Sequence, residues 1–251
     1  MFIIIVRESW FSYCLNDFIY FKLWFGFVIV RTCYRRYFMK DNNTIVRNEL
    51  LAQKIIKGLE SRNMCGYFAK NKEEALAKAL ELIPEGSSIG WGGSMSVSEI
   101  GLRDAVINGN YHVFNRDICK NPEEKREIEL KIFGCDYFLC SSNAITEDGI
   151  LVNIDGNSNR VAAIAYGPKN VVMVVGMNKV AKDVDAALYR ARNVAAPINA
   201  QRFPLDTPCK HTGSCANCKS RDTICCEFLI TRYSRHANRF HIILVDEELG
   251  Y

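Results

Sequence analysis

Residues 141–179 read SSNAITEDGILVNIDGNSNRVAAIAYGPKNVVMVVGMNK, and this pattern decides the fold. A polar turn, a short strand, a second polar turn and a Gly167-Pro168 break lead into a buried strand that ends in Gly176-Met-Asn-Lys179. The polar residues fall where strands end, and open α/β sheets keep their ligand sites there. Glu147, Asp148, Asp155, Asn143, Asn153, Asn157, Asn159, Arg160 and Lys179 all lie within the stretch. Asp-Gly and Asn-rich runs are also ordinary turn formers, so two explanations compete. Two such turns flank one buried strand pair, which favours a ligand site.

Working outward, Cys135–Cys140 is a strand leading in, preceded by a helix that starts at Asn121-Pro-Glu-Glu124. Proline stands at its first position and acids in its first turn. Tyr111–Phe114 and Ser87–Trp91 read as strands. Between them, Gly90-Trp-Gly-Gly-Ser-Met-Ser-Val-Ser-Glu99 carries a strand through glycines into a helix start, with Ser96 and Glu99 at capping-box spacing. Gly92, Gly93 and Ser94 would let backbone amides approach a phosphate or carboxylate. The spacing is neither a Walker loop nor a dinucleotide fingerprint. Asn71 caps a helix with Glu74, Cys65–Ala69 is a strand, and Thr44–Arg62 is an amphipathic helix with Leu51, Ile55, Ile56 and Leu59 at helical spacing. Beyond Lys179 a helix runs to Arg192, and Pro197, Pro204 and Pro208 are expected to break regular structure. Phe240–Val245 is a final buried strand. Alternating strands and helices predict an α/β fold with a mostly parallel sheet flanked by helices.

The net charge of +4 comes from residues 1–40, where six basic side chains face two acidic ones. The remainder is balanced and makes no case for a nucleic-acid surface. Residues 1–38 hold 13 of the 28 aromatic residues. Phe18–Val30 is near-continuously apolar, yet shorter than the roughly 20 residues that span a bilayer. It also lacks the cleavage site of a signal peptide. We expect 1–38 to be an extension outside the fold, either an upstream mis-start before Met39 or a membrane-associated helix. Residues 39–251 then form one domain, with membrane contact only through the extension.

Eleven cysteines, five of them between 209 and 226, argue for an intracellular, cytoplasmic metal-binding chain over a disulfide framework. The spacing from Cys209 is C-x5-C-x2-C-x6-C-C. Cys209, Cys215, Cys218 and Cys225 make a set of four thiolates suited to zinc or an iron–sulfur cluster, with Cys226 or His211 as substitutes. A redox-active Cys215/Cys218 pair is the competing reading. The chain shows no flavin or nicotinamide fingerprint.

Asn143-Ala-Ile-Thr-Glu-Asp-Gly, Asn153-Ile-Asp-Gly, Asn159-Arg, Gly167-Pro-Lys, Gly176-Met-Asn-Lys and the later Thr207-Pro-Cys…Thr-Gly-Ser-Cys…Cys…Ile-Cys resemble the LUD (lactate-utilisation) domain family, in its cysteine-rich-tail branch. The similarity runs from about Asn43 to the C-terminal Leu249-Gly-Tyr. It implies a fold similar to the sugar-phosphate isomerase, glucosamine-phosphate deaminase and CoA-transferase group (NagB/RpiA/CoA-transferase-like). In those relatives a glycine-rich turn holds phosphate or CoA, and acids on a neighbouring loop do the chemistry. On this chain those elements would be Gly90–Ser96 and Glu147/Asp148. The best-known members belong to an iron–sulfur system that oxidises L-lactate to pyruvate.

Three functions follow as expectations. The first is an accessory or electron-transfer component of organic-acid oxidation, with a small anionic metabolite as ligand and iron–sulfur subunits as partners. The second is an enzyme on a phosphorylated or CoA-linked metabolite, with Glu147 or Asp148 as general base or nucleophile. There Arg160 and Lys179 would neutralise the anion, and Gly92, Gly93 and Ser94 would cradle it. The third is a zinc-stabilised, non-catalytic sensor. Asn143, Asp155 and Asn159 complete the candidate ligand set.

Overall fold

The structure, a computed structural model, describes residues 41–251 and, before them, the backbone of three short strands: β1 (Ser12–Leu15), β2 (Phe18–Leu23) and β3 (Gly26–Ile29). These three pair antiparallel in chain order. Across Phe18–Val30, for which a membrane-associated helix is one expectation, the described backbone forms the strands β2 and β3 instead; the rest of residues 1–38, apart from β1, lies outside the described residues. Among the described residues no helix is long and apolar enough to cross a membrane.

In the main unit, helix α1 (Asn42–Ser61) leads to strand β4 (Cys65–Ala69), helix α2 (Lys72–Leu82) and strand β5 (Ser88–Trp91). Helices α3 (Met95–Glu99) and α4 (Leu102–Asn108), strand β6 (His112–Phe114), helix α5 (Pro122–Ile132) and strand β7 (Tyr137–Cys140) follow. Next come β8 (Ala144–Thr146), β9 (Leu151–Asp155), helix α6 (Asn159–Ala165), β10 (Asn170–Gly176) and the short β11 (Val180–Ala181). The chain closes with helices α7 (Val184–Arg190), α8 (Ala196–Ala200) and α9 (Pro208–Thr212) and strands β12 (Glu227–Thr231) and β13 (Phe240–Val245).

Six strands form one sheet in the order β4-β13-β10-β7-β5-β6, and every neighbouring pair is parallel. Helices cover both faces, which is why the central strands are apolar at consecutive positions. On β10, Val171, Met173 and Val175 pack with α1, α5 and α6, while Val172 and Val174 join the core shared with α2, α3 and α4. The fold is α/β with a parallel sheet, as its alternating pattern predicts.

A second sheet, β11-β8-β9-β12, stands apart from the first. Its β8–β9 hairpin is antiparallel, and Ala144, Val152 and Ile154 pack against Ala187 and Ala191. The quoted stretch therefore serves two sheets, with a helix between them that its turn-like residues hid. α6 is only seven residues long. Its carbonyl end is tied by Arg239, which donates to the carbonyls of Ala163, Ile164 and Pro168.

The expected caps hold at Asn71 and Asn121, each accepting from the amide three residues on at 2.8 Å. At the glycine turn the cap is Ser94, which accepts from the Val97 amide, and Ser96 is already inside α3. The expectation for Pro197 is also corrected. α7 runs through a π-helical turn (Ala191–Ala195) into α8, and Pro197 sits in the first turn of α8. There the π turn already interrupts the ordinary hydrogen-bond ladder, so a missing amide hydrogen is tolerated.

Candidate functional site

From β5 the chain crosses outward to β6, whereas from β7 it moves the other way, to β10. That reversal is a topological switch point, and ligand crevices form outside the carboxyl ends of strands at such points. A cavity of about 480 Å³ lies there. Its walls are Gly93-Ser94-Met95 after β5, Ser141-Ser142-Asn143 after β7, Asp155, Gly156, Asn157 and Arg160 around the start of α6, and Lys179 after β10. The tail closes the other side with Asn199, Arg202, Phe203 and Leu205, then Arg221–Ile224. Four cationic side chains (Arg160, Lys179, Arg202, Arg221) and two acidic ones (Asp155, Asp222) line it.

Arg160 is committed to the protein. Its guanidinium donates to the Ser141 and Ile154 carbonyls and to Asn153 Oδ1 and Asn143 Oδ1, at 2.6–3.2 Å, with Asp155 Oδ2 3.5 Å from Nε. It ties the strand ends into one frame. Gly92 makes room for it, because a Cβ there would lie 2.9 Å from Arg160 Cγ. Asn143 and Asp155 belong to the same frame, Asn143 Oδ1 also accepting from the Ile154 amide and Asp155 Oδ2 from the Val161 amide. Asn159, expected as a ligand residue, turns away from the cavity and donates to Glu129 on α5.

Lys179 is different. It is 2 % exposed, and its ammonium donates to Ser96 Oγ at 2.9 Å and Ser141 Oγ at 3.0 Å. Among the described residues no carboxylate lies within ion-pair distance of it. Burial is the main reason its pKa falls to about 7, with the Arg190 and Arg160 charges adding to the shift. Arg190, half-buried, donates to the carbonyls of Asn178 and Asn143. Arg221 is exposed on the cavity wall with no hydrogen bond or ion pair to the described residues.

Glu147 and Asp148, the candidate catalytic acids, do not line this cavity. The β8–β9 hairpin opens on the cavity at Asn143 and Asp155, and the two acids occupy the turn at its opposite end. Glu147 pairs with Lys54 at 2.6 Å and Lys182 at 2.9 Å, and Asp148 pairs with Arg62. The turn docks on α1 so closely that a Cβ on Gly58 would lie 2.4 Å from the Asp148 carbonyl oxygen. Hydrogen bonds from the two lysines hold the Glu147 carboxyl down at about 2, and one from Thr146 leads the lowering at Asp148. Both acids are docking ion pairs, and both lack the raised pKa that suits a general base at neutral pH.

The model of the LUD domain matches residues 52–245. This chain belongs to the LUD domain family. Among solved structures, a DUF162 family protein from Deinococcus radiodurans is similar to this LUD chain, with 11% identity and a TM-score of 0.46 over 79% of this chain and 98% of that one. No curated protein matches the LUD chain.

Cys209, Cys215, Cys218 and Cys225 line one recess of about 80 Å³ beside the cavity. Cys226 and His211 are not on it; His211 pairs with Asp206 at 2.7 Å. Burial pushes the Cys225 thiol up to about 11, and Cys215, Cys209 and Cys218 add to the rise, so the four sulfurs feel one another. Hydrogen bonds from Ser220 lower Cys218. Among the described residues no group of three or more ligating side chains is already gathered for a metal ion. The soft donor set fits zinc or an iron–sulfur cluster, and drawing the thiols together would complete it. By contrast Cys135 and Cys140 sit in the core, raised to about 11 and about 12 by burial, as inert thiols do.

Sequence reasoning missed Ser96, Ser141, Arg190, Arg202 and Arg221. The two serines lay inside quoted motifs, whereas nothing in the local pattern of the arginines separates them from solvent-facing charges.

Proposed function

We propose that this chain is a lactate-utilisation-type protein that binds a small organic anion in the cavity at the carboxyl edge of its sheet. It acts as an accessory or electron-transfer component of organic-acid oxidation, with L-lactate as the first candidate substrate and iron–sulfur subunits as partners. Family membership supports the metabolic setting. The observation that carries anion binding is Lys179, a buried amine held by two hydroxyls and without a carboxylate partner among the described residues, at the floor of a mainly cationic cavity. A buried lysine lacking a counter-ion destabilises the protein unless a ligand supplies one.

In this reading Arg160 frames the site, Lys179 and Arg221 meet the anion, and Gly93 and Ser94 form the wall after β5. Cys209, Cys215, Cys218 and Cys225 would hold zinc or an iron–sulfur cluster. A cluster would supply one-electron transfer; zinc would only close the tail.

The cavity volume favours a second reading. About 480 Å³ is far more than lactate occupies and falls within the roughly 300–1,000 Å³ of sites for larger ligands. A phosphorylated or CoA-linked metabolite fits that space, without catalysis by Glu147 or Asp148.

Calorimetric titration of L-lactate, pyruvate, inorganic phosphate and CoA, beside iron and zinc analysis of anaerobically purified protein, tests both. Saturable binding of the hydroxy or oxo acid with iron present supports the first reading. Binding of CoA or phosphate alone supports the second, and zinc without any ligand leaves a zinc-stabilised sensor.

A further inference from the structure

Lys179 makes more contact with chemistry than anion binding alone requires. An anchoring cation is better placed on an exposed arginine such as Arg221, fully charged at all working pH. Lys179 is instead desolvated, flanked by the cationic Arg190 and Arg160, and hydrogen-bonded on the cavity floor to Ser96 and Ser141. A lysine in apolar surroundings or beside other cations is the setting in which the amine is available as a nucleophile.

We propose that Lys179 is a catalytic nucleophile whose amine condenses with the carbonyl carbon of a 2-oxo acid bound in the cavity, giving an imine. The nitrogen lone pair attacks the carbonyl carbon and a C–N bond forms. The carbonyl oxygen leaves as water, carrying the two amine hydrogens, so neither oxidant nor reductant is needed. Ser141, which also lines the cavity, and Ser96 are within hydrogen-bond reach of the nitrogen and can relay those protons. Arg221, the cationic wall residue with no partner among the described residues, is free to hold the carboxylate while the carbonyl points to the floor. The groups governing the amine's charge are Arg190 and Arg160, which favour the neutral form, and Glu99, which opposes them. The substrate class is thereby narrowed to 2-oxo acids, the oxidised partners of 2-hydroxy acids. This inference rests on the anion-binding reading of the cavity.

The test uses the full chain with pyruvate as probe and L-lactate, which has no carbonyl at that carbon, as control. Protein is incubated with each in sodium cyanoborohydride, then weighed intact and mapped by proteolysis. The expected result with pyruvate is one adduct, of pyruvate less water plus two hydrogens, on Lys179, with none from lactate. Its rate rises as pH passes through about 7. Mapping on the unaltered chain does not depend on a variant folding, and Lys179→Arg should lose the adduct. Calorimetric binding of pyruvate without an adduct, or adducts spread equally over surface lysines, overturns the imine and leaves anion binding standing. Neither binding nor adduct overturns the imine together with the lactate-type reading of the cavity.

Discussion

The two ends of the β8–β9 hairpin carry almost the same chemistry and use it in opposite ways. At the turn, Glu147 and Asp148 find Lys54, Lys182 and Arg62, and every charge is answered by the protein. At the open end, Asn143 and Asp155 are answered by Arg160, but the neighbouring Lys179 and Arg221 have no acid within ion-pair distance among the described residues. Density of polar residues therefore does not mark a ligand site. What marks it is charge that the fold has gathered and left unanswered.

The contrast is broken most forcefully at Arg160. Arg160→Met removes the donors that Asn143, Asn153 and two strand-end carbonyls share, leaving buried acceptors unpaired. The expected loss is about 3–5 kcal/mol, read from urea unfolding. A loss below about 1 kcal/mol would show that the frame does not depend on it.

Lys179→Met should act in the opposite sense. The lysine's folded pKa lies below its unfolded value, so its burial cost is complete at acid pH. The cost is lifted as pH rises from about 7 towards the unfolded value of 10.5. The variant should gain on the order of 1–3 kcal/mol near neutral pH and lose the wild-type rise in stability over that window. Thermal unfolding across pH checks both signs.

Arg221→Ala should leave unfolding unchanged and weaken anion binding about tenfold, the worth of one exposed charge-assisted contact. Glu147→Gln is the mildest change, because its partners are solvated. It should lower the melting temperature slightly above pH 4.5, with no difference from wild type once pH falls through about 2. Ligand binding should not move.

Much of the main sheet was legible because local rules and tertiary packing agree there. Cys65–Ala69 and Phe240–Val245 are strands to the residue, and the Asn71 and Asn121 caps form as their spacing requires. Legibility failed where partners are distant in sequence. Glu147 reads as a candidate general base or nucleophile, and nothing local announces that Lys54, 93 residues away, is brought against it. α6 is too short to show helical periodicity, and Asn159 at its start reads as turn chemistry. On the tail wall of the cavity, Arg202 comes from a segment with no motif, and Arg221 lies between Cys218 and Cys225, where the cysteine spacing says nothing about the residues between. Cys209, Cys215, Cys218 and Cys225 were selected by spacing because short loops set their separation, and they do share one recess.

The open end of the hairpin, and not its turn, is the proposed seat of the anion. Calorimetric titration of pyruvate and L-lactate into wild type, Lys179→Met and Glu147→Gln at neutral pH tests this most directly. The expected result is saturable binding that survives in Glu147→Gln and disappears in Lys179→Met. Binding that persists in Lys179→Met, or that is lost in Glu147→Gln with the fold intact, would contradict it.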